Sequence, residues 1–494
     1  MKDESGTVTT KIKWKSLLLS LILLLIILLL PKQDGLPVAG QRSLAVLAFS
    51  ITLWVTEAVT FPVSAAFIVA LLTVLLGISP SIDGGSIIGT KVALEWSLSG
   101  FSSGAVALVA GALFLSAAMQ ETGLDRRLAL AVLSKVGSSV RGILIGIIVV
   151  GILLALFIPS PTARVGAMIP IVLGMMSAFG IQKTGRLTSL LIMATAHTAT
   201  IWSIGIKTAT PQNMVGLNFI ENAFPFSVSW MQWFLAAAPW SVAMSVVLYF
   251  VLLMFIRPDS MTISSGTDVI KKQLSDLGAL SGSQIRLLFI SFGALVLWAT
   301  EGKIHFFDST TIVLMVVAVM LAPQIGVLKW EDAEKKIPWG TIILFATGIS
   351  LGTVLIKTKG ASWLASIVFN SFGLSHVSLL VLMATLVGFT IVIHLGFASA
   401  TSLASTLMPI VIAFVESMNV GGPLKGMGIA LITQFAIGFG FILPVNAPQN
   451  MLAFGSGTVK TEHFIKTGIT LTVIGYGLFV LFSFTYWRWI GLLP

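Results

Sequence analysis

Thr210-Pro211-Gln212-Asn213-Met214 returns 237 residues later as Ala447-Pro448-Gln449-Asn450-Met451. Other pairs repeat in the same order. Ser160-Pro161-Thr162 precedes Met168-Ile169-Pro170-Ile171-Val172, and Ser399-Ala400-Thr401 precedes Leu407-Met408-Pro409-Ile410-Val411, ten residues from Ser to Pro in both. Gly111-Ala112-Leu113 leads to Thr122-Gly123 as Gly348-Ile349-Ser350 leads to Lys359-Gly360. Leu53-Trp54-Val55-Thr56-Glu57 echoes in Leu297-Trp298-Ala299-Thr300-Glu301. One such match is chance; an ordered series at offsets between 237 and 244 residues is a duplicated half.

The medium of these halves follows from composition. Hydrophobic residues make up 56% of the 494 and charged residues 10%, with a mean hydropathy of +1.01. Apolar runs long enough to cross a bilayer recur along the chain, so it is read as an integral membrane protein with the lipid bilayer as its surround. The net charge of +10 then reads as the lysine and arginine excess of cytoplasmic loops, with no nucleic-acid partner. Cysteine is absent, which excludes disulfides and thiolate metal sites. The apolar stretch Leu17–Leu30 follows Lys11, Lys13 and Lys15 as a signal peptide would, but lacks a small-residue cleavage site and reads as a retained first span.

Gly, Pro and charge breaks divide the chain into an all-α polytopic fold of about 11 spans. The expected units are a tail over 1–15, a first span over 16–40, repeat one over 41–257, a linker over 258–283 and repeat two over 284–494. Apolar blocks at 142–179 and 376–417 are twice a span's length and broken in the middle; they are read as re-entrant hairpins. Broken helices are expected at 184–221 and 425–457. With the N-terminus cytoplasmic and the C-terminus external, nineteen Lys and Arg fall inside, eight outside, and Arg164 and Lys207 in the membrane. This is the bias expected of an inner (plasma) membrane protein. Five spans and one hairpin separate equivalent points, and that odd number of crossings inverts the second copy. Inverted repeats with interrupted helices build secondary transporters, with substrate between the repeats near the midplane.

The chemistry is expected at the hairpin tips and helix breaks, where backbone groups lack intrahelical partners and helix N-termini favour anions. The candidates are Ser160, Pro161, Thr162, Thr210, Pro211, Asn213, Ser399, Ala400, Thr401, Asn446, Ala447, Pro448 and Asn450. The plainer reading is that the Ser and Thr cap half-helices and the prolines kink; duplication at matched positions favours binding. All 19 acidic residues fall in tails, loops or span ends, and the intramembrane ionisable candidates are basic: Arg164, Lys207 and His394. Their counterparts in the other repeat are Leu403, Pro444 and Ala155, so the cations break the symmetry. Arg164 alternatively binds hairpin carbonyls and His394 a single carbonyl, whereas an unpaired Lys207 ammonium is costly to bury. His197, on an ordinary span, is read as packing.

At these residues the chain resembles the divalent anion:sodium symporter family over essentially its whole length. Phe441-Ile442-Leu443-Pro444-Val445, then Pro448-Gln449-Asn450 and Phe454-Gly455-Ser456-Gly457, look like its C-terminal signature, with Asn446 where a small residue is usual. Ala93-Leu94-Glu95-Trp96, Gly100-Phe101-Ser102-Ser103, Thr122-Gly123-Leu124, Arg126-Arg127 and Thr162-Ala163-Arg164 look most like citrate/succinate exchangers and plastid 2-oxoglutarate/malate translocators. The resemblance implies a homodimer, an elevator-like transport domain, and two Ser-Asn-Thr motifs that bind carboxylates and help form sodium sites. Ser160 and Thr162 match the first motif, and Ser399 and Thr401 the second; Thr210-Pro211 and Ala447-Pro448 match the broken-helix contacts. Both motif asparagines are replaced, by Pro161 and Ala400. The expected activity is exchange of C4/C5 dicarboxylates (succinate, malate, 2-oxoglutarate) without sodium, Lys207, His394 and Arg164 acting as tethered cations. A sodium-coupled symporter is the alternative and a channel the different-class rival. No cofactor, metal site or catalytic residue is expected: His-Glu-x-x-His and an intramembrane aspartate pair are both missing.

Overall fold

A computed structural model describes residues 12–82, 85–258, 266–371, 373, 377–418 and 422–493. Among them the chain is helical, without a strand. It crosses with α1 (Trp14–Leu29), α2 (Val38–Thr56) and α3 (Phe61–Gly77), then α4 (Thr90–Leu98) continued by α5 (Gly104–Thr122). A short α6 (Leu124–Leu133) leads into the first hairpin, α7 (Val140–Phe157) and α8 (Pro161–Ala178). The first broken span is α9 (Arg186–Gly205), a 3-10 turn Lys207–Ala209, and α10 (Pro211–Ala223); α11 (Trp230–Phe255) returns. After α12 (Gly266–Asp276) the pattern recurs as α13 (Gly282–Thr300), α14 (Ser309–Leu321), α15 (Trp330–Lys336), α16 (Trp339–Lys357) and α17 (Gly360–Ser371). The second hairpin is α18 (Leu379–His394) and α19 (Ala400–Ser417). The second broken span is α20 (Pro423–Ala436), a 3-10 turn Pro444–Asn446 and α21 (Pro448–Gly455); α22 (Thr461–Phe484) and a single turn, α23 (Tyr486–Trp489), close the fold.

Local chemistry sets the boundaries. Ser229 and Ser281 open α11 and α13 in capping boxes with Gln232 and Gln284. Proline in the first turn starts α3, α8, α10, α20 and α21, where its missing N–H costs nothing. Gly123 ends α5 in the left-handed conformation at φ 66°. Pro170 and Pro409 lie inside α8 and α19 at matched positions.

Long-range bonds fix the inversion. Lys13 Nζ donates to the Thr56 carbonyl (2.8 Å), so α1 begins on the face where α2 ends. Gln284 Nε2 donates to the Thr122 carbonyl (2.8 Å), so α13 begins where α5 ends, and Lys336 pairs with Glu121 on that face at 2.5 Å. Following the crossings, α2 delivers Glu57 to this face and α13 delivers the matching Glu301 to the opposite one. The two repeats are therefore upside down with respect to one another. Their halves interlock: α10 packs on α19, and α21 on α8.

Two differences from the sequence reading are local. The segment expected as a plain linker at 258–283 carries α12, whose Ile270 is buried as it packs on α6 and α8. The span expected at 100–119 is preceded by α4, because a 3-10 turn at Ser99–Ser102 bends the chain without ending the crossing. Backbone approaches backbone closely at Gly468 of α22, where a Cβ would lie 2.2 Å from the Phe441 carbonyl and 2.8 Å from Ile442 Cα. Gly468→Ala must displace backbone in the second break. A loss of about 1–3 kcal/mol is expected, read as a lower melting temperature of the purified protein.

Candidate functional site

Both hairpin tips and both helix breaks meet in one cavity of about 460 Å³. Ser160, Pro161, Thr162, Thr210, Pro211, Ser399, Ala400, Thr401, Ala447 and Pro448 line it, as does His394. It reaches the exposed residues Glu57 and Lys336, and so opens to the face where α2 and α5 end.

Four helices, α8, α10, α19 and α21, begin on its wall. Ser160 Oγ accepts from the Ala163 N–H (3.2 Å) and Ser399 Oγ from the Ser402 N–H (3.3 Å), so each serine caps its half-helix as well as facing the cavity. The amides of Thr162, Thr401, Gln212 and Gln449, and the hydroxyls of Thr162 and Thr401, have no partner among the described residues. Each helix N-terminus carries about half a positive charge, so the four together present roughly the charge that balances a dianion. Donors without partners at converging positive ends form an anion site.

The asparagines of the sequence reading hold the walls instead. Asn213 Nδ2 donates to the carbonyls of Ser203 (2.7 Å) and Ile206 (3.1 Å), and Asn450 Nδ2 to that of Gly440 (2.6 Å). Each tethers the carbonyls left free where its helix breaks, with the same geometry in the two repeats. Asn446 Nδ2 donates to the carbonyls of His394 and Leu395, both at 3.1 Å, and His394 Nε2 lies 3.2 Å from the Asn446 carbonyl. The second tip and second break are thus locked together. None of these asparagines lines the cavity. Among the cavity residues that the sequence reading missed are Gln212 and Gln449, with Thr200 and Ser203 of α9. Thr210 Oγ1 donates to Gln212 Oε1, and Gln449 Nε2 donates to Thr200 Oγ1 at 3.1 Å. The glutamines stand in the repeated Pro-Gln-Asn, so the motif was the signal, but which of its amides faces inward depends on helix phase.

The three cations separate. Only His394 lines the cavity. Arg164, 1% exposed, donates through Nη2 to the Ala199 carbonyl (3.2 Å) and Ser203 Oγ (2.9 Å), which fastens the first tip to α9. Lys207 departs from expectation. Its ammonium is not unpaired: Nζ donates to the Val228 carbonyl (2.7 Å) and Ser309 Oγ (3.3 Å), in a separate cavity that Glu221, Glu301 and Asp308 also line. Loop ends from both repeats fold over the first break and bring carboxylates there. His197, fully buried, packs between the rings of Phe441 and Phe464, as its reading as a packing residue required.

This arrangement has relatives. A protein of Cupriavidus necator described as a membrane protein is 44% identical over 469 residues, covering 95% of this chain and 91% of its own. The citrate/succinate antiporter of Escherichia coli K12 is 25% identical over 95% of this chain and 96% of its own. Among solved structures, the YdaH transporter of Alcanivorax borkumensis shares the fold at a TM-score of 0.56, with 14% identity over 87% of this chain and 98% of that one. The family described as the sodium:sulfate symporter transmembrane region matches residues 11–493. The chain therefore belongs to that family, the divalent anion:sodium symporters, and is a multi-pass membrane transporter and not an enzyme.

Proposed function

We propose that this protein is a secondary active carrier that exchanges C4/C5 dicarboxylates, of the succinate, malate and 2-oxoglutarate class, without sodium. The observation that carries the reading is the convergence of four helix N-termini and two unpartnered threonine hydroxyls on one cavity. Each carboxylate is taken by one hairpin tip and the broken helix facing it, Thr162 donating on one side and Thr401 on the other. Pro161 and Ala400 contribute no side-chain amide at the tips, so neutralisation falls to the helix ends and to His394 beside Gly440 and Ala447. This positive frame cannot leave with the substrate. An empty carrier would take it uncompensated across the apolar barrier, so reorientation is fast only when loaded. The carrier works as a homodimer in the inner membrane, with the N-terminus and the open cavity cytoplasmic.

The test is uptake of labelled succinate into proteoliposomes, with and without internal unlabelled dicarboxylate. Preloading is expected to raise uptake many-fold, equally in sodium, potassium and choline buffers. Equal uptake into empty vesicles would refute exchange. The second reading is a sodium-coupled symporter, favoured by the description of the matched family; a steep rise with sodium would establish it.

A further inference from the structure

Two copies of one motif stand in opposite states. In Leu297-Trp298-Ala299-Thr300-Glu301 the glutamate is engaged. Glu301 Oε1 accepts from the Ser309 N–H (2.9 Å), and Oε2 accepts from Ser309 Oγ (2.7 Å) and from the Trp230 N–H (2.9 Å). Trp230 opens α11, the helix that follows the first broken span, so this carboxylate ties the repeat-two helices α13 and α14 to the end of repeat one. Lys207 Nζ joins through Ser309 Oγ. In Leu53-Trp54-Val55-Thr56-Glu57 the tryptophan keeps an equivalent role, Trp54 Nε1 donating to Ser64 Oγ (3.2 Å) as Trp298 Nε1 donates to the Ser309 carbonyl (3.3 Å). Yet Glu57 is exposed at the mouth of the cavity, and its carboxylate makes no hydrogen bond or ion pair among the described residues. An unpartnered carboxylate beside an anion pathway needs a reason.

We propose that Glu301 and Glu57 are alternating positioning residues, each closing one face of the carrier. Glu301 seals the face opposite the open cavity in the state seen here. In the other state Glu57 seals the cavity face by accepting N–H groups from the first turn of α22. This rests on the reading of the chain as an alternating-access carrier. In inverted-repeat carriers one repeat rocks or gates against the other around a fixed site, and the pseudo-symmetry makes the Glu301 contact the template for a Glu57 contact on the other face. The helix that follows the second broken span is α22, and it begins at Thr461 after Lys460, as α11 begins at Trp230. A carboxylate at a helix N-terminus is held by free N–H groups and the helix dipole, and Lys460 adds a cation there. Lys207 shares Ser309 with Glu301 and also holds the Val228 carbonyl (2.7 Å), so the buried cation sits on the same seam.

The absence of cysteine makes the states readable. Ser116→Cys reports from the large cavity, and Met214→Cys from the smaller cavity beneath Glu301. Each is labelled in proteoliposomes, without substrate, by a membrane-impermeant maleimide added to its own face. Glu301→Ala is expected to raise labelling of Met214→Cys relative to Ser116→Cys by about tenfold, the effect of losing hydrogen bonds to a charged group. Glu57→Ala, which removes nothing from the state seen here, is expected to move the ratio the other way. A shift in the same direction by both variants, or no shift with Glu57→Ala, overturns the proposal. Because no dicarboxylate is present, either outcome is independent of whether the substrate assignment holds.

Discussion

Replacing Thr162 and Thr401 together by alanine is expected to weaken dicarboxylate affinity by roughly a hundredfold. Both hydroxyls lack a partner among the described residues and line the cavity from opposite tips. A hydrogen bond to a carboxylate contributes about 1.5–3 kcal/mol, so each single change should cost roughly tenfold or more. The serines beside them accept from their own helices but each keeps an O–H to donate, so part of the recognition remains when the threonines are changed. Saturation curves for succinate uptake at equal expression measure the effect. Wild-type affinity in both single variants would leave recognition to the backbone N–H groups alone.

Asn446→Ala is expected to abolish most transport and to lower the melting temperature. The Asn446 side chain is 2% exposed, and its amide holds the carbonyls of His394 and Leu395 while its Oδ1 accepts from the Leu443 N–H (3.1 Å). Truncation strands these groups in a water-poor interior at about 1–3 kcal/mol each. It also frees the second tip from the second break and loosens the orientation of His394. Uptake and thermal unfolding should fall together. Normal uptake with unchanged melting would show that the pin is dispensable.

The sequence displayed the duplication, the inversion and the two tips because these are local patterns, repeated. Pro-Gln-Asn marked each break, but not which side chain looks inward: helix phase after a proline follows from how α10 docks on α19 and α21 on α8. Lys207 was misread for a different reason. Of its carboxylate neighbours only Glu221 is on the same broken span; Glu301 and Asp308 lie in the other repeat, about a hundred residues away, and are brought to it by the fold. A charge that is alone along the chain need not be alone in space. Asn446 stood out as a departure from the family signature, and its bonds explain why that departure is accommodated.

The burial of α9 has a consequence for biogenesis. From Leu187 to Gly205 every residue is buried within the protein, and the helix carries Thr188, Ser189, Thr195, His197, Thr198, Thr200 and Ser203. A segment so rich in hydroxyls partitions weakly into lipid when it leaves the insertion machinery alone. Its neighbours α7, α8 and α11 supply the apolar surroundings that lipid cannot, and α11 is made after it. The first broken span is therefore expected to settle fully in the membrane only once α11 has emerged to cover it.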